Sequence, residues 1–281
     1  MSFGPNPWQQ TQWDWRAAGN FICGGAGGGL IALTVLAGTQ GAARTALLLA
    51  GVALVGLGLL CVWLEIGRPL RALNVLFNPR TSWMTREAFV ASMLMPVTIG
   101  AATGWAWLQW PAAALALAFV YCQSRSLQAA KGISAWREAW IVPMIVFTGL
   151  AEGAGLWLAA QSTQALDQPL LLVLVAIPLL ARALAWPVYR QHLARAAAPA
   201  ALQALDGTGR WLLRAGSIAP LVLAALAASG AVGAALGAPL LVLAGLLATG
   251  SGAWFKFTLL GRAAFNQGFA LAHLPVRGVA R

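Results

Sequence analysis

Residues 45–65 read Thr45-Ala46-Leu47-Leu48-Leu49-Ala50-Gly51-Val52-Ala53-Leu54-Val55-Gly56-Leu57-Gly58-Leu59-Leu60-Cys61-Val62-Trp63-Leu64-Glu65. No charge interrupts the run until Glu65 closes it. At a rise of about 1.5 Å per residue, roughly 20 apolar residues in a helix cross the roughly 30 Å of a bilayer's hydrocarbon core. Working outward, the chain holds further runs of the same kind. They place spans at about 15–37, 44–66, 86–108, 111–130, 138–160, 168–189, 211–235 and 239–260. The expected fold is therefore all-α: one polytopic membrane bundle over 1–281 with eight transmembrane helices in a lipid bilayer. A loop at about 67–85 and a tail at about 261–281 are expected on the cytoplasmic side.

Composition agrees. Of 281 residues, 60% are apolar and 9% charged, against about 25% charged in a soluble chain. The 18 Lys+Arg and 7 Asp+Glu give a net charge of +11, yet so apolar a chain is no disordered polycation. The basic residues are placed by side. The side holding the N-terminus, the loops after the second, fourth and sixth spans, and the tail carries 16 of them. Arg44 stands alone opposite, and Arg182 falls inside the sixth span. The positive-inside rule then puts both termini in the cytoplasm. The charge reads as topology, and nucleic acid is not an expected partner.

The rare residues exclude several chemistries. His192 and His273 lie outside the long apolar runs, so paired axial ligands for a membrane haem are missing. Cys23, Cys61 and Cys122 sit singly in apolar runs, too few for an iron–sulfur cluster or a structural zinc site. No haem and no metal are expected in the chain, and no phosphate-loop motif of an ATPase occurs. The opening residues have no charged segment leading into a short apolar core, so they do not read as a signal peptide. Gly24, Gly25, Gly27, Gly28 and Gly29 contain pairs four apart, the spacing that lets membrane helices approach closely. Tryptophans at Trp8, Trp13, Trp15, Trp105, Trp107, Trp110, Trp136 and Trp140 fit an interfacial belt, with ligand stacking a second use for the N-terminal group.

Chemistry is expected where polar groups meet the membrane. Glu65 ends the second span and Glu87 begins the third, and between them runs a polar, proline-broken segment with Arg71, Asn74 and Arg86. Thr85 and Glu87 stand where a helix start wants a cap and an early acid. One reading is a capped loop with surface ion pairs. The other is a membrane-surface site where a lipophilic ligand enters from the bilayer and its polar head meets acids and arginines. Deeper in, Glu152 lies roughly 18 Å into the fifth span and Arg182 roughly 21 Å into the sixth from the opposite end. They are expected to form either a structural pair, which limits the desolvation cost, or a step in a proton pathway.

Gly67-Arg68-Pro69-Leu70-Arg71 with Thr81-Ser82-Trp83-Met84-Thr85-Arg86-Glu87 resembles the membrane subunits of molybdopterin oxidoreductases, the polysulfide reductase/NrfD-like and DMSO reductase anchor family. The likeness extends to the eight-span plan and to Lys256-Phe257 and Arg262-Ala263-Ala264-Phe265-Asn266-Gln267-Gly268-Phe269 near the end. The opening Pro7-Trp8-Gln9-Gln10-Thr11-Gln12-Trp13-Asp14-Trp15-Arg16-Ala17-Ala18-Gly19-Asn20 is similar to the membrane subunit of phenylacetyl-CoA:acceptor oxidoreductases.

The resemblance implies a metal-free subunit of the bacterial inner membrane. Such a subunit binds a quinone, ubiquinone or menaquinone, near one face. It anchors a four-cluster iron–sulfur subunit there, which connects to a molybdenum or tungsten pterin catalytic subunit. The implied site lies among the first helices and the loop after the second span. In the DMSO reductase form a His stands at the position of Glu65 and a Glu matches Glu87; here a carboxyl replaces the His. Polysulfide reductase-type members use a His on the first helix, where this chain offers Asn20 and Asp14 instead, and a Tyr; Tyr121 carries no assigned role. Glu65 and Glu87 are the expected proton-handling groups. Arg71 and Arg86 would stabilise developing negative charge, and Asn20, Asp14 and Asn74 are the remaining quinone-binding candidates. With the basic face inside, the partners are expected on the cytoplasmic side, oxidising an internal metabolite such as phenylacetyl-CoA. A passive anchor without quinone chemistry and a secondary transporter remain as alternatives; Pro96, Pro143 and Pro178 interrupt or open spans, as transporter helices often do.

Overall fold

A computed structural model describes residues 4, 6–66 and 74–268. The described residues are helical apart from turns and two isolated bridges, Gln9 with Phe265 and Ile133 with Asn266. In chain order the helices are α1 Trp15–Leu36, α2 Gly41–Glu65, α3 Trp83–Ala102, α4 Gln109–Gln128, α5 Ser134–Arg137, α6 Ile141–Ala160, α7 Ser162–Asp167, α8 Leu170–Ala196, α9 Pro199–Leu213, α10 Ala219–Ala228 and α11 Gly233–Gly261. A π-turn, Arg214–Ile218, joins α9 to α10 into one rod.

Six of these rods are long and apolar enough to cross a membrane: Trp15–Leu36, Gly41–Glu65, Ile141–Ala160, Leu170–Ala196, Pro199–Ala228 and Ala235–Gly261. The protein is a helical membrane bundle. The two remaining expected spans fall on α3 and α4, helices of 20 residues each. α3 carries Arg86 and Glu87, and α4 carries Gln123, Arg125 and Gln128.

Three expectations about helix ends change. α3 starts at Trp83 because Ser82, not Thr85, is its cap: the Ser82 hydroxyl accepts from the Thr85 N–H at 3.3 Å. The Thr85 hydroxyl instead donates to the Val75 carbonyl. α3 ends at Ala102, before Gly104 takes a φ of +120° that L side chains rarely adopt. The rod expected from 211 begins at Pro199, a residue suited to the first helical turn. Its Asp206-Gly207-Thr208-Gly209 stretch looks like a loop by composition but is helical, with Asp206 paired to Arg190 on α8.

α1 is the hub. Its glycine face receives α2, α4 and α6 at backbone distance. A methyl on Gly27 would lie 2.7 Å from the Gly51 carbonyl oxygen of α2, and one on Gly28 2.7 Å from Val120 Cγ2 of α4. Gly149 would meet the Gly25 backbone at 3.1 Å, and Gly153 packs flush on Gly29. These glycines pack helices, as the spacing implies. Trp105, Trp107 and Trp110 are 62–70% exposed at the α3–α4 turn, as a belt requires. Trp136 departs from that expectation: it is buried, donates Nε1 to the Leu259 carbonyl at 3.0 Å and stacks on Trp13.

Candidate functional site

One end of the bundle gathers parts distant in sequence. The N-terminal segment bonds to the end of α11, with Gln10 reaching the Leu260 carbonyl and the Asn266 N–H donating to the Trp8 carbonyl at 3.0 Å. Asp14 caps α1 by accepting from the Arg16 N–H at 2.8 Å, and Arg16 reaches across to the Leu64 carbonyl at 2.9 Å. The start of α1 is thereby fastened to the end of α2, where Glu65 stands.

Between these ends and the start of α3 lies a pocket in two adjoining lobes, each of about 210 Å³. Asn20, Val62, Ile66, Met84 and Glu87 line both lobes. The inner lobe adds Trp13, Ala17, Phe21, Glu65 and Ser126. The outer lobe adds Leu59, Trp63, Val75 and Ala88. Trp63 and Met84 are 45% and 46% exposed on the outer surface of the bundle. The outer lobe thus borders the surface between α2 and α3 that lipid would cover.

The polar groups converge on Glu87, which is buried. Ser126 of α4 donates to one carboxyl oxygen at 2.9 Å, and Asn20 of α1 donates to the other through a long bond of 3.4 Å. Gln123 of α4 donates to the Asn20 carbonyl at 3.0 Å. Two acceptors are left over: Asn20 Oδ1 and Gln123 Oε1 are buried without a partner among the described residues. Unpaired buried polar atoms are uncommon, and each calls for an explanation.

The structure therefore brings together Asn20, Glu65 and Glu87. It separates three other candidates from them. Asp14 does not line the pocket: it caps α1 and pairs with Arg16 at 2.9 Å, and the Arg16 hydrogen bond holds its carboxyl below the usual carboxylate range. Arg86 turns away to the Pro79 and Arg80 carbonyls, at 2.9 and 2.8 Å, and lies over the Trp83 ring. Asn74 is exposed in a short helical turn at 74–77. Arg71 lies outside the described residues. The residues missed are Ser126, Gln123 and Met84; Trp13, for which sequence offers ligand stacking as a second use, lines the inner lobe. A signal existed for Ser126 and Gln123, since polar residues three apart in an apolar helix share a face.

Sequence pairs Glu152 with Arg182, whereas in the structure the ion-pair partner of Glu152 is Lys256, 2.6 Å away, and both are fully buried. Lys256 also donates to the Phe21 carbonyl at 2.8 Å, just behind the pocket wall. Sequence counts Lys256 among the surface charges, but the bare Gly25 leaves room for its ammonium group against α1. Arg182 is held instead by the π-turn, whose shift to i→i+5 bonding frees carbonyls. It donates to Ser217 Oγ at 3.2 Å, to the Ala248 carbonyl at 3.1 Å and to the Gly216 carbonyl.

The arrangement offers a lipid-side opening, an apolar chamber, two carboxyl groups and the unmatched Asn20 Oδ1. It suits an apolar ring carrying hydrogen-bonding oxygens. No known protein-family model matches the chain, and no curated protein matches it.

Proposed function

We propose that this chain is the quinone-reactive membrane subunit of a multisubunit molybdenum or tungsten pterin oxidoreductase. Its helices would cross the bacterial inner membrane eight times with both termini in the cytoplasm. An iron–sulfur partner and a pterin catalytic partner would dock on the basic face. The substrate, phenylacetyl-CoA on the likeness of the opening residues, would belong to the catalytic partner.

The observation that carries the reading is the convergence of Asn20, Glu65 and Glu87 on one pocket that borders the lipid side between α2 and α3. A bilayer-dissolved ring fits there by chemistry. The unpartnered Asn20 Oδ1 accepts from a ring hydroxyl, and a protonated Glu87 donates to a ring carbonyl. A quinone bound there takes up two electrons with two protons. Glu87 holds one proton position against Ser126 and Asn20. Glu65, half-buried at the end of α2, stands where it passes protons between the pocket and the aqueous face. Trp13 and Phe21 close the inner wall against water.

The test is a mild-detergent pull-down of the tagged chain together with quinone turnover of the complex. Recovery of an iron–sulfur protein and a large pterin protein, with turnover slowed in Glu65→Gln and Glu87→Gln, supports the proposal. Partners recovered with turnover unchanged would make the chain a passive anchor. A chain that purifies alone would favour transport.

A further inference from the structure

Beside the pocket, on the far side of α3 and α4, lies a second and different cleft of about 590 Å³, lined by Thr81, Trp83, Arg125, Gln128, Lys131 and Arg137 among others. Its chemistry is cationic. The Arg125 guanidinium sits 4.7 Å from the Trp83 ring centre, and that of Arg86 sits 4.3 Å from the same ring. Two like charges are thus held against one indole. None of Arg86, Arg125, Lys131 and Arg137 has a carboxylate within ion-pair distance among the described residues, whose ion pairs are Asp14–Arg16, Arg190–Asp206 and Glu152–Lys256. Arg125 Nε is buried and donates to nothing among the described residues. Gln267, with its amide turned, accepts from Arg137; that contact is neutral and leaves the charge uncompensated.

The surroundings are apolar on one side. Tyr121 meets Trp83 edge-on at 5.8 Å and is 45% exposed. Leu117, Met93 and Phe89 continue that exposed face along α4 and α3. The cleft therefore sits where a lipid-facing helix surface ends in a group of unneutralised cations. We infer that it holds the phosphate headgroup of an anionic phospholipid, with Arg125, Lys131 and Arg137 on the phosphate and the acyl chains along Tyr121 and Leu117. Basic pockets between helices at a membrane face bind such headgroups, and a bidentate guanidinium matches phosphate geometry. An occupied cleft relieves the repulsion between Arg86 and Arg125 and gives Arg125 Nε an acceptor. The bound lipid would flank the pocket opening, since Trp83 and Arg125 are the chain neighbours of Met84 and Ser126. The inference does not depend on what that pocket binds.

The test uses the full chain, purified in mild detergent and stripped of lipid, with binding followed by native mass spectrometry. The probes are phosphatidylglycerol, phosphatidylcholine and inorganic pyrophosphate. Wild type should retain phosphatidylglycerol over phosphatidylcholine, and pyrophosphate should not displace it. Arg125→Gln with Lys131→Gln should weaken retention by roughly thirtyfold, from the worth of two basic residues at an anionic surface. Arg210→Gln with Arg214→Gln, which removes equal charge from exposed positions elsewhere, should leave it unchanged. Should the first double variant fail to fold, Lys131→Gln alone, at an exposed position, serves at a smaller expected loss. Equal retention of the two lipids, equal retention by wild type and variant, or efficient displacement by pyrophosphate would each overturn the assignment. Loss of a co-purifying acidic protein in the variant with lipid retention intact would also overturn it, in favour of protein docking.

Discussion

The Ser126 hydroxyl lies 2.9 Å from a carboxyl oxygen of Glu87, joining α4 to α3 in the wall of the pocket. The bond orients a buried acid, and Asn20 on α1 holds its other oxygen. Three helices thereby position one carboxyl group.

Glu87→Gln keeps the shape and one acceptor, for the Asn20 amide, while its NH2 donates to a Ser126 hydroxyl that turns to accept; it cannot release a proton. Quinone turnover should fall by roughly 10²-fold, the usual worth of a positioned acid or base, while thermal stability in detergent stays close to wild type. Ser126→Ala should slow turnover less, since it loosens the acid without removing it. Turnover assays on the two variants beside their melting curves separate these effects.

Lys256→Met should destabilise strongly. It leaves Glu152 buried without its partner, and breaking a buried pair costs about 3–5 kcal/mol. Combining it with Glu152→Leu, which removes both charges, should recover most of the loss. Melting temperatures of the single and double variants, read by size-exclusion chromatography after heating, check the pattern.

The glycine face of α1 predicts a contrast between two alanine substitutions. Gly153→Ala drives a methyl into the Gly29 backbone, so it should cost at least about 1–3 kcal/mol. Gly56→Ala meets only the flexible end of Met95, 3.5 Å away, so it should be neutral or stabilise by up to about 1 kcal/mol. Both sit within helices, so propensity alone does not distinguish them. Thermal melts do.

Asp14 gives a pH signature at the start of α1. Its carboxyl is held below the ordinary value chiefly by the hydrogen bond from Arg16. A lowered folded value means that its contribution is complete above the ordinary carboxylate pKa near 3.8 and fades as the pH falls through the lowered value. The pair is about one-third exposed, so solvent screening keeps the effect below about 1 kcal/mol. Melting temperature should drop on acidification through this range in wild type, and by less in Asp14→Asn. Added salt should shrink the difference.

Much of the bundle was legible in run length. The apolar stretch ending at Glu65 becomes α2 over Gly41–Glu65, and six helical rods are long and apolar enough to cross a membrane. Glu65, Glu87 and Asn20 were legible as polar residues beside those runs, and they do line one pocket. The partners of the acids were not. Ser126 and Gln123 reach Glu87 and Asn20 only because α4 packs against α1 through Gly24 and Gly28, a tertiary fact. Lys256 lies near the end of an apolar run and reads as a surface charge; its burial depends on Gly25, far away in the chain. Asp206 to Gly209 read as a loop because composition does not reveal the Arg190 pairing that lets the segment stay helical.

The most direct measurement is photoaffinity labelling of the membrane-embedded chain with an azido-quinone, followed by peptide mapping. Label on residues of the pocket, such as Trp13, Val62 or Met84, competed by unlabelled quinone and reduced in Glu87→Gln, is the result the account predicts. Label elsewhere, or label on these residues that unlabelled quinone does not displace, would contradict it.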